Sequence, residues 1–259
     1  MSAAQSGPLA GPLSGKIALV TGGTRGIGRG ISLELARQGA RVLAVFARDR
    51  KSADALEATA KEQGLAIETI RGDLSNDETF AQVVATVKEK APHLDILVHS
   101  AASGVHKSAH ELSARHLTWT FNINLFSIHN LVRELFPLFR PGGRLIGITS
   151  SGGVRTLPHY AAVGSSKGAL ESLFRHYAVE FAPRGIAVNL VSPGMVMTEA
   201  VEAFPDKEAR IESALKDTPT GKMTTPEQVG AVVCFLCSEA ASQIVGQTIV
   251  VDGGRSVPT

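Results

Sequence analysis

Two tyrosines occur in the chain, Tyr160 and Tyr177, and Lys167 follows Tyr160 by seven positions. A phenol holds its proton to a pKa of about 10, so it exchanges or donates that proton usefully at neutral pH only beside a cation. A lysine supplies such a field. Seven helical residues turn through about 700° and rise about 10.5 Å. The pair therefore shares one face of a helix, or Tyr160 stands just before a helix that carries Lys167. Either geometry lets the flexible amine reach back toward the phenol. A packed aromatic and a solvated lysine would leave the same two letters, so the elements around them must decide.

A second chemical signal is Thr21-Gly22-Gly23-Thr24-Arg25-Gly26-Ile27-Gly28. Glycines spaced G-x-x-x-G-x-G let a backbone turn tightly and approach a pyrophosphate, and a helix that follows offers unsatisfied N–H groups. The plain alternative is a tight turn with close helix packing. Position directly after the apolar run Lys16 to Thr21 favours the phosphate cradle. Dinucleotide folds that select NAD carry an acid about 20 residues beyond the glycines. Here the second apolar run ends Val45-Phe46-Ala47-Arg48, without an acid. Arg48 and Arg25 can flank a 2′-phosphate with forked guanidinium geometry, which favours NADPH over NADH. Solvated arginines are the alternative, and Asp49 could serve a ribose if the strand runs longer.

Other chemistry-bearing residues read as bland. Cys234 and Cys237 lie inside an apolar helical pattern and are expected to be buried, inert thiols rather than a redox or zinc pair. His106, His110 and His116 lack the glutamate of a helical zinc motif, so no metal site is expected. Trp119 and Phe121 fit helix packing. Met195, Met197 and Phe204 fit an acyl pocket or a lid packed on the body.

The elements that must hold these residues alternate. Strands are expected at 16–21, 41–46, 65–71, 95–98, 144–149, 186–191 and 247–251. Helices are expected at 27–38, 52–63, 76–90, 113–136, 163–182 and 226–237. Near-continuous apolar strands separated by helices mean a parallel sheet covered on both faces, the α/β doubly wound architecture of about seven strands. Residues 15–259 read as a single domain. Residues 1–14 read as a flexible tail, and 195–222 break the rhythm where a substrate lid belongs.

Composition agrees. In 259 residues the apolar types reach 44%, which excludes wholesale disorder. Lys+Arg 26 minus Asp+Glu 24 leaves +2, so bulk charge attracts no nucleic acid. No apolar run approaches the ~18 residues of a membrane span, and with two cysteines and no signal core a soluble, cytoplasmic protein is expected.

Jointly, these residues resemble the short-chain dehydrogenase/reductase superfamily over 16–254, a Rossmann-type fold. The likeness rests on Gly22-x-x-x-Gly26-x-Gly28, Asp73-Leu74, Asn124, Ser150, Tyr160 with Lys167, Pro193-Gly194 through Thr198, and Val251-Asp252-Gly253-Gly254. The superfamily usually has Tyr-x-x-x-Lys. Here Gly164 occupies the fourth position and Lys167 the seventh, a spacing similar to enoyl-acyl-carrier-protein reductases, in their ketoreductase-like branch. Two departures stand out. His99-Ser100-Ala101-Ala102 replaces Asn-Asn-Ala-Gly, and Ser150 stands where the main enoyl reductase branch has a second tyrosine.

The resemblance implies an NADPH-dependent reductase of the 2,3 double bond of an acyl thioester, borne on acyl carrier protein or coenzyme A, in fatty acid or polyketide synthesis, and a homotetramer. It implies catalytic roles for Tyr160 (donor to the thioester carbonyl), Lys167 (cofactor ribose and electric field) and Ser150 (second donor), with Asn124 supporting a water or a helix bend. It implies cofactor contacts from Gly22, Thr24, Arg25, Gly26, Ile27, Gly28, Arg48, Asp73, Leu74, Ser100, Ala101 and Lys167. Pro193, Gly194, Val196 and Thr198 are expected at the nicotinamide carboxamide. A 3-ketoacyl or other carbonyl reductase, and a catalytically silent NADP-binding regulator, remain as alternatives.

Overall fold

The computed structural model describes residues 11–198, 201 and 207–257. Residues 1–10 of the expected tail, and Phe204 of the expected lid, lie outside the described residues. Seven strands form one sheet: β1 (Ile17–Thr21), β2 (Arg41–Phe46), β3 (Ile67–Arg71), β4 (Leu94–His99), β5 (Phe139–Ile148), β6 (Ala187–Pro193) and β7 (Thr248–Val251). Their order is β3-β2-β1-β4-β5-β6-β7, with every neighbouring pair parallel. The chain runs outward from β1 to β3, then returns to place β4 on the other side of β1. That reversal opens a crevice at the carboxyl ends of β1 and β4, where ligands of open α/β sheets bind.

Alternation along the strands builds two cores. Ala18 and Val20 of β1 pack with Ile31 and Leu35 of α1 (Gly26–Arg37) and Val229 and Val233 of α8 (Pro226–Cys237). Leu19, one residue out of phase, packs with Ile128 of α5 (Ser127–Leu135) and Phe174 of α6 (Ala161–Phe181). α1 and α8 approach so closely that a Cβ on Gly230 would lie 2.9 Å from the Gly30 carbonyl oxygen. α8 begins as Pro226 and a Thr225–Gln228 capping box dictate, and Cys234 and Cys237 are buried on it. Burial pushes the Cys234 thiol up to about 12, so it is not a nucleophile at neutral pH.

α2 (Arg50–Glu62) and α3 (Asp77–Lys90) complete the first half. The helix expected over 113–136 is not uniform. It comprises α4 (Ala114–Phe121), a π turn (Asn122–Phe126), α5 and a 3₁₀ turn (Phe136–Leu138). α7 (Lys207–Asp217) lies within the 195–222 stretch, and Val196 pairs with Thr224 in a parallel bridge. Among the described residues no helix is long and apolar enough to cross a membrane.

The expected tail is shorter than its composition implies. Leu13 is only 1% exposed, and its amide donates to the Gln38 carbonyl at 2.9 Å. One leucine among Ala, Ser, Gly and Pro thus anchors Gly11 to Ser14 at the end of α1. Leu13→Ala is expected to destabilise the fold by about 2 kcal/mol, the low end for a buried leucine. A urea melt with an unmoved midpoint would show that this segment is not anchored.

Candidate active site

The turn from β1 into α1 is fixed by backbone contacts that admit no side chain. Gly22 has φ +63°, and a Cβ there would lie 2.9 Å from the Ala101 Cα. A Cβ on Gly28 would run into the Gly22 carbonyl oxygen. Gly26 has φ +51° and lies under the Thr198 methyl. The resulting hollow, bounded by the first amides of α1, is the shape and polarity a pyrophosphate requires.

At the tip of β2, the two candidate acids separate. Asp49 caps α2: its carboxylate accepts from the Ser52 amide at 3.0 Å and hydroxyl at 2.6 Å, which hold its pKa below the usual carboxylate range. It caps the helix and also borders the cavity described below. Arg48 extends into solvent at 85% side-chain exposure and lies 3.5 Å from Asp73. Burial works to raise the Asp73 carboxyl, but hydrogen bonds from Ser75 and the Arg48 charge outweigh it and hold the group ionised.

Beneath the crevice a buried polar network ties β1, β4 and the π turn together. His99 Nε2 lies 3.1 Å from the Asn124 carbonyl oxygen, and Nδ1 lies 3.0 Å from the Thr21 hydroxyl. A carbonyl only accepts, so Nε2 carries the proton and Nδ1 accepts from Thr21. The Thr21 oxygen in turn accepts from the amides of Ser100 and Ala101 at 3.2 and 3.1 Å. Burial, and secondarily the Lys167 charge, push the His99 pKa down to about 3, so the ring is neutral. This is what replaces the usual asparagine after β4.

Asn124 is fully buried in the π turn. Its side chain accepts from the Ser103 amide and donates to the Ser166 hydroxyl, each at 2.9 Å. Among the candidate catalytic residues it alone does not line the cavity described below. It braces α4–α5 against α6 and the loop after β4, the part of a positioning residue.

Tyr160 is the N-cap of α6, with φ −118°. Of the two geometries open in the sequence, this is the one with the tyrosine just ahead of the helix. Its hydroxyl lies 3.4 Å from the Ser150 Oγ. Lys167, 4% exposed, donates to the Ile148 carbonyl at 2.7 Å. Burial lowers its pKa to about 8, partly opposed by the Glu171 carboxylate one turn on. Glu171 is anchored by the Thr149 hydroxyl at 2.7 Å. Space around the tyrosine is held by glycine. A Cβ on Gly152 would lie 2.5 Å from the ring, and one on Gly164 would lie 2.6 Å from the Gly152 carbonyl.

These elements enclose a cavity of about 1320 Å³, beyond the roughly 300–1,000 Å³ of a site for one small ligand. Gly22, Thr24, Arg25, Gly26, Ile27 and Gly28 form one end, with Arg48, Asp73 and Leu74 beyond them. Ser100, Ala101, Ser150, Tyr160 and Lys167 line the middle, and Pro193, Gly194, Val196 and Thr198 the other wall. The sequence did not indicate Trp119 or the terminal Asp252, Arg255 and Ser256 as lining residues, yet all four border the same space. It also missed His106, whose ring stacks on Tyr160 with centroids 5.7 Å apart. Among the described residues no cluster of three or more His, Cys, Asp or Glu could hold a metal.

Removing His99 tests the network. His99→Leu strands a buried hydroxyl and a buried carbonyl, and is expected to destabilise the protein by about 3 kcal/mol. Denaturation at unchanged midpoint would mean that water replaces the ring without loss.

The sequence profile of the family described as enoyl-(acyl carrier protein) reductase matches residues 22–256. A 1-cyclohexenylcarbonyl-CoA reductase of Streptomyces collinus is 33% identical over 93% of this chain and 87% of that protein. A tropinone reductase homologue of Arabidopsis thaliana is 35% identical over 95% of this chain and 94% of its own length. A short-chain dehydrogenase of Burkholderia cenocepacia, solved in complex with NADP, superposes with a TM-score of 0.85 at 28% identity, covering 95% of this chain and all of that one. The chain therefore belongs to the short-chain dehydrogenase/reductase superfamily of oxidoreductases, within the family that carries the enoyl-(acyl carrier protein) reductase description.

Proposed function

We propose that this oxidoreductase uses NADPH to reduce the 2,3 double bond of an enoyl thioester. The observation that carries the reading is the lysine seven residues beyond a tyrosine that caps its helix, with glycine at the usual lysine position. The Streptomyces relative supports it, being named for a substrate that is itself a 2,3-unsaturated thioester.

The glycine turn and the α1 amides suit the pyrophosphate, and Arg48 and Arg25 suit a 2′-phosphate, as the NADP in the Burkholderia structure encourages. When bound, the dinucleotide supplies the hydride. The chain's own residues govern the oxygen and the proton. Tyr160 donates its hydroxyl to the thioester carbonyl, so that charge developing on that oxygen as the β-carbon accepts hydride is met by a fixed donor. Lys167 holds a positive charge in a water-poor setting, which favours release of the phenolic proton. Protonation of the α-carbon by Tyr160 or a water completes the addition. Ser150 is a second donor at the oxygen.

That serine also favours a second reading, reduction of a ketone, where tyrosine delivers its proton directly to the carbonyl oxygen. The decisive assay follows NADPH absorbance with a crotonyl thioester and, separately, an acetoacetyl thioester. Faster loss with crotonyl is expected; preference for the ketone reverses the assignment, and inertness toward both removes it.

Two further outcomes follow. Arg48→Ala should raise the KM for NADPH about tenfold and leave that for NADH nearly unchanged; equal weakening removes the phosphate argument. Turnover should fall above pH 8, because the folded lysine loses its proton near 8 rather than at the ordinary 10.5. A rate flat to pH 10 would show that the charge at Lys167 is not needed.

A further inference from the structure

Tyr160 also borders a second cavity, of about 290 Å³. Three basic side chains from two loops line it: Lys107 after β4, and Arg155 and His159 after β5. Among the described residues no aspartate or glutamate lines it. Glu111, the acid closest in sequence to Lys107, is engaged by the Ser108 amide at 3.1 Å in a capping box. Neither Lys107 nor Arg155 makes an ion pair among the described residues. In a chain of net charge only +2, Lys107 and Arg155 place two cations at one small cavity without an ion pair among the described residues, with a histidine beside them.

That histidine is held under strain. His159 has φ +57°, the one non-glycine residue with positive φ among the described residues. A left-handed conformation at a non-glycine residue is uncommon and persists where its surroundings impose it. The Ser108 hydroxyl, 3.4 Å from Nδ1, links the ring to the loop that carries Lys107. Arg155, Leu157 and Tyr160 border both cavities, so the second space adjoins the phenol.

We propose that the cavity lined by Lys107, Arg155 and His159 is a subsite for an anionic group of the substrate, a phosphate or a carboxylate. The inference rests on the thioester reading and narrows it to substrates that carry an anion. The phosphate would belong to the pantetheine arm of the thioester, the carboxylate to the acyl group.

The test uses product-like thioesters, which require no turnover. Butyryl-pantetheine, butyryl-4′-phosphopantetheine and succinyl-pantetheine are titrated calorimetrically into the protein saturated with NADP⁺, which keeps phosphate out of the dinucleotide cavity. The neutral compound is expected to bind at least tenfold more weakly than one of the anionic two, and the tighter one identifies the source. Lys107→Glu and Lys107→Gln should each abolish that preference and leave butyryl-pantetheine binding unchanged. Three equal affinities in the wild type, or variants that weaken all three alike, overturn the subsite. Failure to reduce crotonyl-pantetheine, with the anion preference intact, would instead count against the proposed reduction.

Discussion

An almost wholly buried ammonium sits below the carboxyl edge of the sheet, at the wall of the cavity. The displacement of Lys167 from about 10.5 to about 8 corresponds to about 3 kcal/mol against the charged form. The surroundings are arranged to bear that. Ile148 offers its carbonyl at the end of β5, Glu171 offers a carboxylate on the same helix, and Thr149 orients that carboxylate. His99, the other buried base nearby, is kept neutral, in part by the lysine itself. A second cation there would have doubled the burden. The C-terminal edge is thus polar in a strict sequence of donors and acceptors, and the apolar cores on both faces supply the rigidity that keeps it so.

Close approach is the companion constraint. Tyr160 can lie beside Ser150 because Gly152 leaves room under its ring and Gly164 leaves room for the Gly152 carbonyl. A lysine at the position of Gly164 would meet that backbone. Moving the amine seven residues along α6 and placing the phenol at the N-cap therefore belong to one packing solution. The π turn serves the same end. Its irregular backbone presents the Asn124 carbonyl to His99, while the Asn124 side chain joins the Ser103 amide to α6.

Much of this was legible from residue types. Apolar runs and the glycine motif give the sheet, and Pro226 after Thr225 gives the bounds of α8, because each obeys a local rule. Features that depend on residues meeting in space leave no local signal in the sequence. A helical pattern over 113–136 does not reveal a π turn, since one extra residue barely disturbs the apolar period. His106 carries no local signal that its ring will stack on Tyr160. Leu13 looks like an incidental apolar residue in a polar start until the end of α1 comes beside it. The terminal Asp252 to Ser256 line the cavity because Asp252 folds the segment back, accepting from the amides of Gly254 and Ser256 at 2.9 and 2.8 Å.

The most direct measurement is a nitrogen-15 NMR titration of the protein labelled on lysine, with the Lys167 side-chain resonance assigned by its loss in Lys167→Met. A midpoint near pH 8 is the result that a buried, partly compensated ammonium predicts. A midpoint at the ordinary 10.5 would place this amine in water and leave Tyr160 without the charge on which its chemistry depends.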